Sequence, residues 1–186
     1  MHTIRQLIKD FSKDIKTDEL DYIMTQFTIK TIEKGDFLLS ETKICRQLSI
    51  VKSGCFKVIY NADTIIWFAF ENMPITEMQS FITQAPSQFS IQAIEPSEVF
   101  SLDFDKMQML YNKYDSFKIF GLRLTERILS KTISRATSLQ FDTPETRYKK
   151  LFDNPNYLSR IPLQDLASYL GITPNSLSRI RSRITI

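Results

Sequence analysis

Gly171-Ile172-Thr173-Pro174 constrains this chain more than any other four residues. Glycine readily takes the left-handed conformation that ends a helix. Threonine followed by proline supplies an N-cap and a first helical residue that needs no amide hydrogen. A stop signal therefore stands directly before a start signal. Upstream, Leu163, Leu166, Ala167 and Leu170 keep helical spacing; downstream, Leu177, Ile180 and Ile184 share one side of a helix, with Asn175, Ser176, Arg179 and Arg183 on another. The expectation for 163–184 is two short helices joined by a tight turn. Small Ala167 lets them cross closely, and Leu166, Leu170, Leu177 and Ile180 fill the joint.

Ahead of this pair the apolar period changes from helical to alternating and back. Ile4, Leu7, Ile8 and Phe11, then Leu20, Ile23, Met24 and Phe27, predict helices within 3–26, the second capped by Thr17. From Phe27 to Ile32 the period is two, and short strands are expected near 37–40, 47–52, 55–60, 64–70, 89–94 and 98–104. Breaks at Ser53-Gly54, Asn61-Ala62-Asp63, Asn72-Met73-Pro74 and Glu95-Pro96-Ser97 separate them. Many short strands with regular turns mean a sandwich or barrel. Met78, Phe81 and Ile82 place a small helix among them. Met107, Leu110 and Tyr111 mark a further helix, and a long one is expected over about 116–139.

The long helix carries two apolar stripes. Phe117, Phe120, Leu124 and Ile128 form one; Leu122, Leu129, Ile133 and Ala136 form the other. A helix wedged inside one domain would bury both, and so would a helix with one stripe on the strands and the other in a dimer seam, the arrangement favoured here. Asp142-Thr143-Pro144-Glu145 then starts a helix carrying Tyr148, Leu151 and Phe152, which Asn154-Pro155-Asn156 ends; 157–162 leads into the opening stretch. The fold class is α+β: an antiparallel β-roll with flanking helices over 1–114, a connecting helix over 115–141, and a helical unit over 142–186.

Absences narrow the chemistry. His2 is the only histidine and stands in a terminus expected to be mobile, which excludes Ser-His-Asp and Cys-His machinery and histidine-rich metal sites. No phosphate-cradling glycine loop occurs. Two cysteines, Cys45 and Cys55, are too few for a disulfide framework and read as buried thiols. Asp103 and Asp105 sit at a strand-to-helix junction, where capping explains them. No enzyme, metal or cofactor is expected. A composition 42% hydrophobic and 24% charged, with no apolar run long enough to span a bilayer and no signal pattern, points to a cytoplasmic protein without a membrane partner.

Charge is unevenly placed. Residues 1–114 hold 12 basic and 15 acidic side chains, 115–141 hold 5 and 2, and 142–186 hold 7 and 4. The excess of cations coincides with the helix pair, which favours a polyanion there. Asn175, Ser176 and Arg179 are placed to meet base edges in a major groove; Thr173, Ser178, Arg181 and Arg183 suit phosphates. The competing possibility is a small-molecule receptor whose helix pair contacts protein. A β-roll enzyme of cupin type would need histidine ligands that are absent.

A β-roll, one long helix and a helix-turn-helix together resemble the Crp/Fnr transcription regulators. The resemblance is most specific in Ala-Ser-Tyr-Leu-Gly-Ile-Thr-Pro-Asn-Ser-Leu-Ser-Arg-Ile-Arg, residues 167–181, with Arg160-Ile161-Pro162 before it. Lys34-Gly35, Ser53-Gly54 and Ser90-Ile-Gln-Ala-Ile-Glu-Pro-Ser-Glu-Val99 match the turns and last strands of the β-roll. It implies a cyclic-nucleotide-binding-type domain, a homodimer, double-stranded DNA as partner and RNA polymerase as a further contact. Arg179 falls where family members place a base-contacting arginine, whereas Pro174 and Asn175 depart from the usual Arg-Glu, so the family's usual target sequence does not carry over.

The ligand segment departs as well. Ile75-Thr76-Glu77 keeps the family's glutamate and loses its glycine, and Ser87-Gln88 stands where an arginine pair should clamp phosphate. Cyclic AMP is therefore not the expected ligand. Met73, Thr76, Glu77, Met78, Phe81, Ser87, Gln88 and Phe89 are expected to line a differently shaped pocket or to be core. Ligands for an iron-sulfur cluster or haem are missing too, and a chain stopping at Ile186 leaves no residues for the C-terminal β-wing of longer members.

Overall fold

The first two apolar patterns fold as α1 (His2–Phe11) and α2 (Thr17–Gln26), burying Ile4, Ile8, Leu20, Ile23 and Met24. The structure is a computed structural model that describes residues 2–184. Met1, Thr185, Ile186 and the side chains of His2 and Thr3 lie outside the described residues, and with them the expectations for His2 and for a C-terminal wing. Thr17 is not the cap of α2. Lys16 takes that position without a side-chain cap bond, and Asp18 and Glu19 in the first turn offset the helix's free amides electrostatically.

Eight strands follow: β1 (Thr28–Ile32), β2 (Phe37–Leu39), β3 (Gln47–Ser53), β4 (Phe56–Tyr60), β5 (Thr64–Ala69), β6 (Pro74–Ile75), β7 (Phe89–Ala93) and β8 (Ser97–Asp103). They form two four-stranded antiparallel sheets, ordered β1-β8-β3-β6 and β2-β7-β4-β5. In the first, Val51 pairs with Val99 and Ile50 with Phe100; in the second, Val58 pairs with Ile91 on one side and Trp67 on the other. β6 was not foreseen, because two residues cannot display a period; it exists through pairing of Pro74 and Ile75 with Ile50 and Ser49. The small helix among the strands is α3 (Met78–Thr83).

α4 (Phe104–Lys113) begins after Asp103, whose carboxylate does not cap it. Asp103 Oδ1 instead accepts from Gln47 Nε2 at 2.6 Å, which joins β8 to β3. α5 (Asp115–Phe141) crosses α4 closely at Gly121, where an added Cβ would collide with the Tyr111 hydroxyl. Its first stripe is inside: Phe117, Phe120 and Leu124 are buried and Ile128 packs at the core's edge. Its second stripe is not covered by this chain. Leu122, Leu129 and Ile133 are 59%, 57% and 56% exposed, and Ala136 is exposed beside them.

The remaining helices are α6 (Pro144–Lys149), a 3-10 turn (Lys150–Asp153), α7 (Asn156–Arg160), α8 (Leu163–Leu170) and α9 (Pro174–Arg183). Residues 157–160, expected to be a simple lead-in, belong to α7: Asn154 Oδ1 accepts from the Asn156 amide at 3.2 Å, so the Asn-Pro-Asn sequence that ends one helical segment also starts the next. Tyr148, Leu151, Leu166, Ala167, Leu170 and Leu177 share one core with Cys55, Ile59, Ile65, Phe68 and Phe70 from β4, β5 and the segments beside them. The C-terminal helices are therefore packed on the second sheet. Burying side chains of this size stabilises by roughly 1.5–3 kcal/mol each.

Candidate nucleic-acid interface and ligand cavity

α8 ends at Gly171, whose φ of +68° is the left-handed conformation its neighbours would resist; its amide donates to the carbonyls of Ala167 and Ser168. Thr173 then caps α9. Its hydroxyl accepts from the Ser176 amide at 3.2 Å and lies 3.0 Å from the Ser176 hydroxyl. Both hydroxyls are thus engaged with each other, and Ser176 is only half exposed. Leu177 is fully buried against Leu166, Ala167 and Leu170, while Ile180 and Ile184 pack at the edge. Asn175, Ser178, Arg179, Arg181 and Arg183 are all exposed. On a helix of 3.6 residues per turn, Asn175, Ser178 and Arg179 share the face opposite Leu177, and Arg181 and Arg183 flank it on either side.

The other cations of this half are used internally. Arg147 is buried: its Nε donates to the Leu170 carbonyl at 3.0 Å and its Nη1 to the Asp142 carbonyl at 2.7 Å, pinning α6 to the ends of α8 and α5. Lys150 pairs with Asp142 at 2.7 Å, Lys149 with Glu145 at 3.3 Å, and Arg160 with Glu71 and Glu95. Asp165 is taken by Lys57 of β4 at 2.9 Å. Arg179, Arg181 and Arg183 have no ion-pair partner among the described residues.

Further bonds hold the helix pair to the sheet. The Ser168 hydroxyl accepts from the Ile65 amide at 2.9 Å and donates to the Asp63 carbonyl at 3.1 Å. The Arg135 guanidinium of α5 lies 3.7 Å over the Tyr169 ring and donates to the Tyr169 carbonyl. None of these contacts was foreseen: each joins residues far apart in sequence, and a lone serine or aspartate in a helix gives no sign of a distant partner.

A cavity of about 600 Å3 lies between β4 and β5, the β6–α3 segment and α5. Of the residues expected to form a pocket, Met73, Thr76, Glu77, Met78 and Phe89 line it. Phe81 does not; it is buried in the core with its ring edge-on to Phe104, at 5.3 Å between centroids. Ser87 and Gln88 are also off the cavity. Segment 42–43 bonds to the Ser87 backbone, and the Ser87 hydroxyl closes a turn by accepting from the Phe89 amide and donating to the Phe89 carbonyl, while Gln88 is exposed. Thr76 Oγ1 accepts from the Ser49 amide at 3.0 Å. The Glu77 carboxylate caps α3, accepting from the amides of Gln79 at 2.9 Å and Ser80 at 2.8 Å. The wall contributed by α5, with Arg127, Lys131 and Arg135, was not foreseen as cavity lining; its sequence signal is three cations at four-residue intervals.

Burial pushes the Cys55 thiol up to about 12 and raises Cys45 as well, so neither is poised as a thiolate. Among the described residues no cluster of three or more histidine, cysteine, aspartate or glutamate side chains could hold a metal ion, and no helix is long and apolar enough to cross a membrane.

The fold is shared with known proteins. Residues 29–114 match the family of cyclic nucleotide-binding domains. Over a longer span the chain has the fold of the Crp/Fnr regulators. It is similar to FixK2 from Bradyrhizobium japonicum at 14% identity and a TM-score of 0.74, over 85% of this chain and 84% of that one. It is similar to the c-di-GMP responsive global regulator CLP of Xanthomonas campestris at 14% identity and a TM-score of 0.68, over 91% of each chain. The Thermus thermophilus catabolite activator protein aligns at 14% identity and a TM-score of 0.58, over 96% of this chain and 86% of that one. No curated protein matches the sequence closely enough to be counted a relative.

Proposed function

We propose that this chain is a sequence-specific DNA-binding transcription regulator of Crp/Fnr type, acting in the cytoplasm as a homodimer and not using cyclic AMP. One observation carries the proposal. Between Asp142 and Arg183 the cations away from α9 are all tied to acids or carbonyls, and the three of α9 stand exposed, without an acidic partner among the described residues, around a polar face. In this reading Asn175 and Arg179 contact base edges, Ser178, Arg181 and Arg183 meet phosphates beside them, and Ser176, expected at a base edge but bonded to Thr173, joins Thr173 in holding the helix terminus toward a phosphate. The exposed stripe of Leu122, Leu129, Ile133 and Ala136 is the seam between two copies, which sets two recognition helices on one duplex. RNA polymerase is the further partner that such a regulator would contact.

The reading on cyclic AMP rests on Ser87 and Gln88 lying away from the cavity and on Glu77 being occupied with α3, which leaves the strand segment without a charged phosphate clamp. Residues 1–114, 115–141 and 142–186 serve as sensor-type domain, dimer helix and DNA-binding unit. Titrating the protein against random-sequence duplex DNA over a salt series tests the proposal. Binding that falls log-linearly with salt supports it; no salt-dependent binding at any concentration overturns it and leaves a receptor whose helix pair contacts protein.

A further inference from the structure

The face that α5 turns to the 600 Å3 cavity carries Arg127, Lys131 and Arg135, successive cations separated by a rise of about 6 Å along the helix. The opposing walls are mostly apolar, with Val58, Ile65, Trp67, Met73 and Phe89 among them. Thr64, Asn72, Thr76 and Ser168 are the polar exceptions. The one carboxylate in the lining, Glu77, is engaged by the amides of Gln79 and Ser80. Arg127 and Lys131 have no ion-pair partner among the described residues. Arg135 bonds and stacks on Tyr169, but its buried Nε has no acceptor there. Lys131 is exposed on its outer side, and partial desolvation at the cavity wall and the neighbouring Arg127 hold it below the usual lysine range. Three like charges beside a largely apolar hollow repel one another, and an anion placed among them would relieve that repulsion and satisfy the guanidinium.

We infer that this cavity binds an amphipathic organic anion, with its apolar body against the strands and its acidic head on Arg127, Lys131 and Arg135 of α5. The volume lies within the range of small-molecule sites, and a mostly apolar lining with a few convergent polar groups is their usual make-up. Such a ligand is oriented from the long helix, whereas the strand segment around 87–88 contributes nothing to its charge. The site stands whether or not α9 reads DNA.

The test compares two probes of one aromatic body, 1-anilinonaphthalene-8-sulfonate and the uncharged N-phenyl-1-naphthylamine, titrated into the purified full chain without DNA. Trp67 is the only tryptophan and lines the cavity, so quenching of its emission reports occupancy. The sulfonate should quench saturably at one per chain and bind at least about ten-fold more tightly than the neutral probe, the ratio that one charge-assisted contact supports. Arg127→Gln and Lys131→Gln should each weaken the sulfonate about five- to ten-fold and leave the neutral probe unchanged. Arg123→Gln, on the same helix but outside the lining, should alter neither, and thermal unfolding confirms that each variant is folded. Equal affinity for the two probes, or equal loss of both in the Arg127 and Lys131 variants, overturns the inference.

Discussion

Lys57 Nζ lies 2.9 Å from Asp165 Oδ2, a contact between β4 and the first turn of α8 in which both side chains are less than one-fifth exposed. It crosses the divide between the strands and the helix pair that carries α9, beside the Ser168 bonds and the shared apolar core. Asp165→Asn leaves the ammonium without its counter-charge and should cost about 1–3 kcal/mol of stability by urea denaturation. Lys57→Met combined with Asp165→Leu should cost less than the two single changes together, since the double variant leaves no lone charge behind.

Glu71 accepts from Arg160 at 2.8 and 2.9 Å, and from the Gly54 amide at 2.9 Å. The Arg160 hydrogen bonds hold its carboxyl below the usual range. A carboxylate whose folded pKa lies below its unfolded value contributes stability that is complete above the unfolded value, about 4.3, and is lost as pH falls through the folded one. Stability of the native chain should therefore decline below about pH 4.3, and Glu71→Gln should flatten that acid limb in thermal melts run from about pH 6 to about pH 3.

Cys45 and Cys55 are both buried, and burial raises both thiols. Neither should react measurably with a water-soluble disulfide reagent until the chain is unfolded, when both should react together. Rapid native-state labelling of either would contradict the structure.

The exposed stripe of α5 is the dimer seam in the proposed assembly, and substitutions there test it. Leu129→Glu with Ile133→Glu should leave the circular dichroism spectrum unchanged, because neither side chain is buried within the single chain. Sedimentation should shift from dimer to monomer, and affinity for a two-half-site duplex should fall with it.

The sequence shows best what repeats locally. The Gly171-Ile172-Thr173-Pro174 turn, the long helix and six of the eight strands carry their own signals, and β1 was visible as a change of period at Phe27. What sequence leaves hidden is nonlocal. β6 exists only through its pairing with β3, nothing local sets Arg147 apart from Lys149 and Lys150 until the Leu170 carbonyl is placed beside it, and Ser87 looks like a ligand group until its hydroxyl is found closing a turn with Phe89. The same holds for the cavity: Met73 and Phe89 could be guessed from the strands, but the cations opposite them belong to a helix whose inward face is decided by packing.

The most direct test of the central claim is the affinity of Arg179→Ala for a duplex selected by the native protein from a random pool, measured beside Arg181→Ala. The selected site should be approximately palindromic, with half-sites about 34–36 Å apart. Arg179→Ala should lose about 1–3 kcal/mol on that site, relax one base preference and change little on random duplex, while Arg181→Ala should weaken all duplexes alike and flatten the salt dependence. A pool that yields no enriched sequence, or an Arg179→Ala loss that is equal on every duplex, would contradict the assignment of α9 as a base-reading helix.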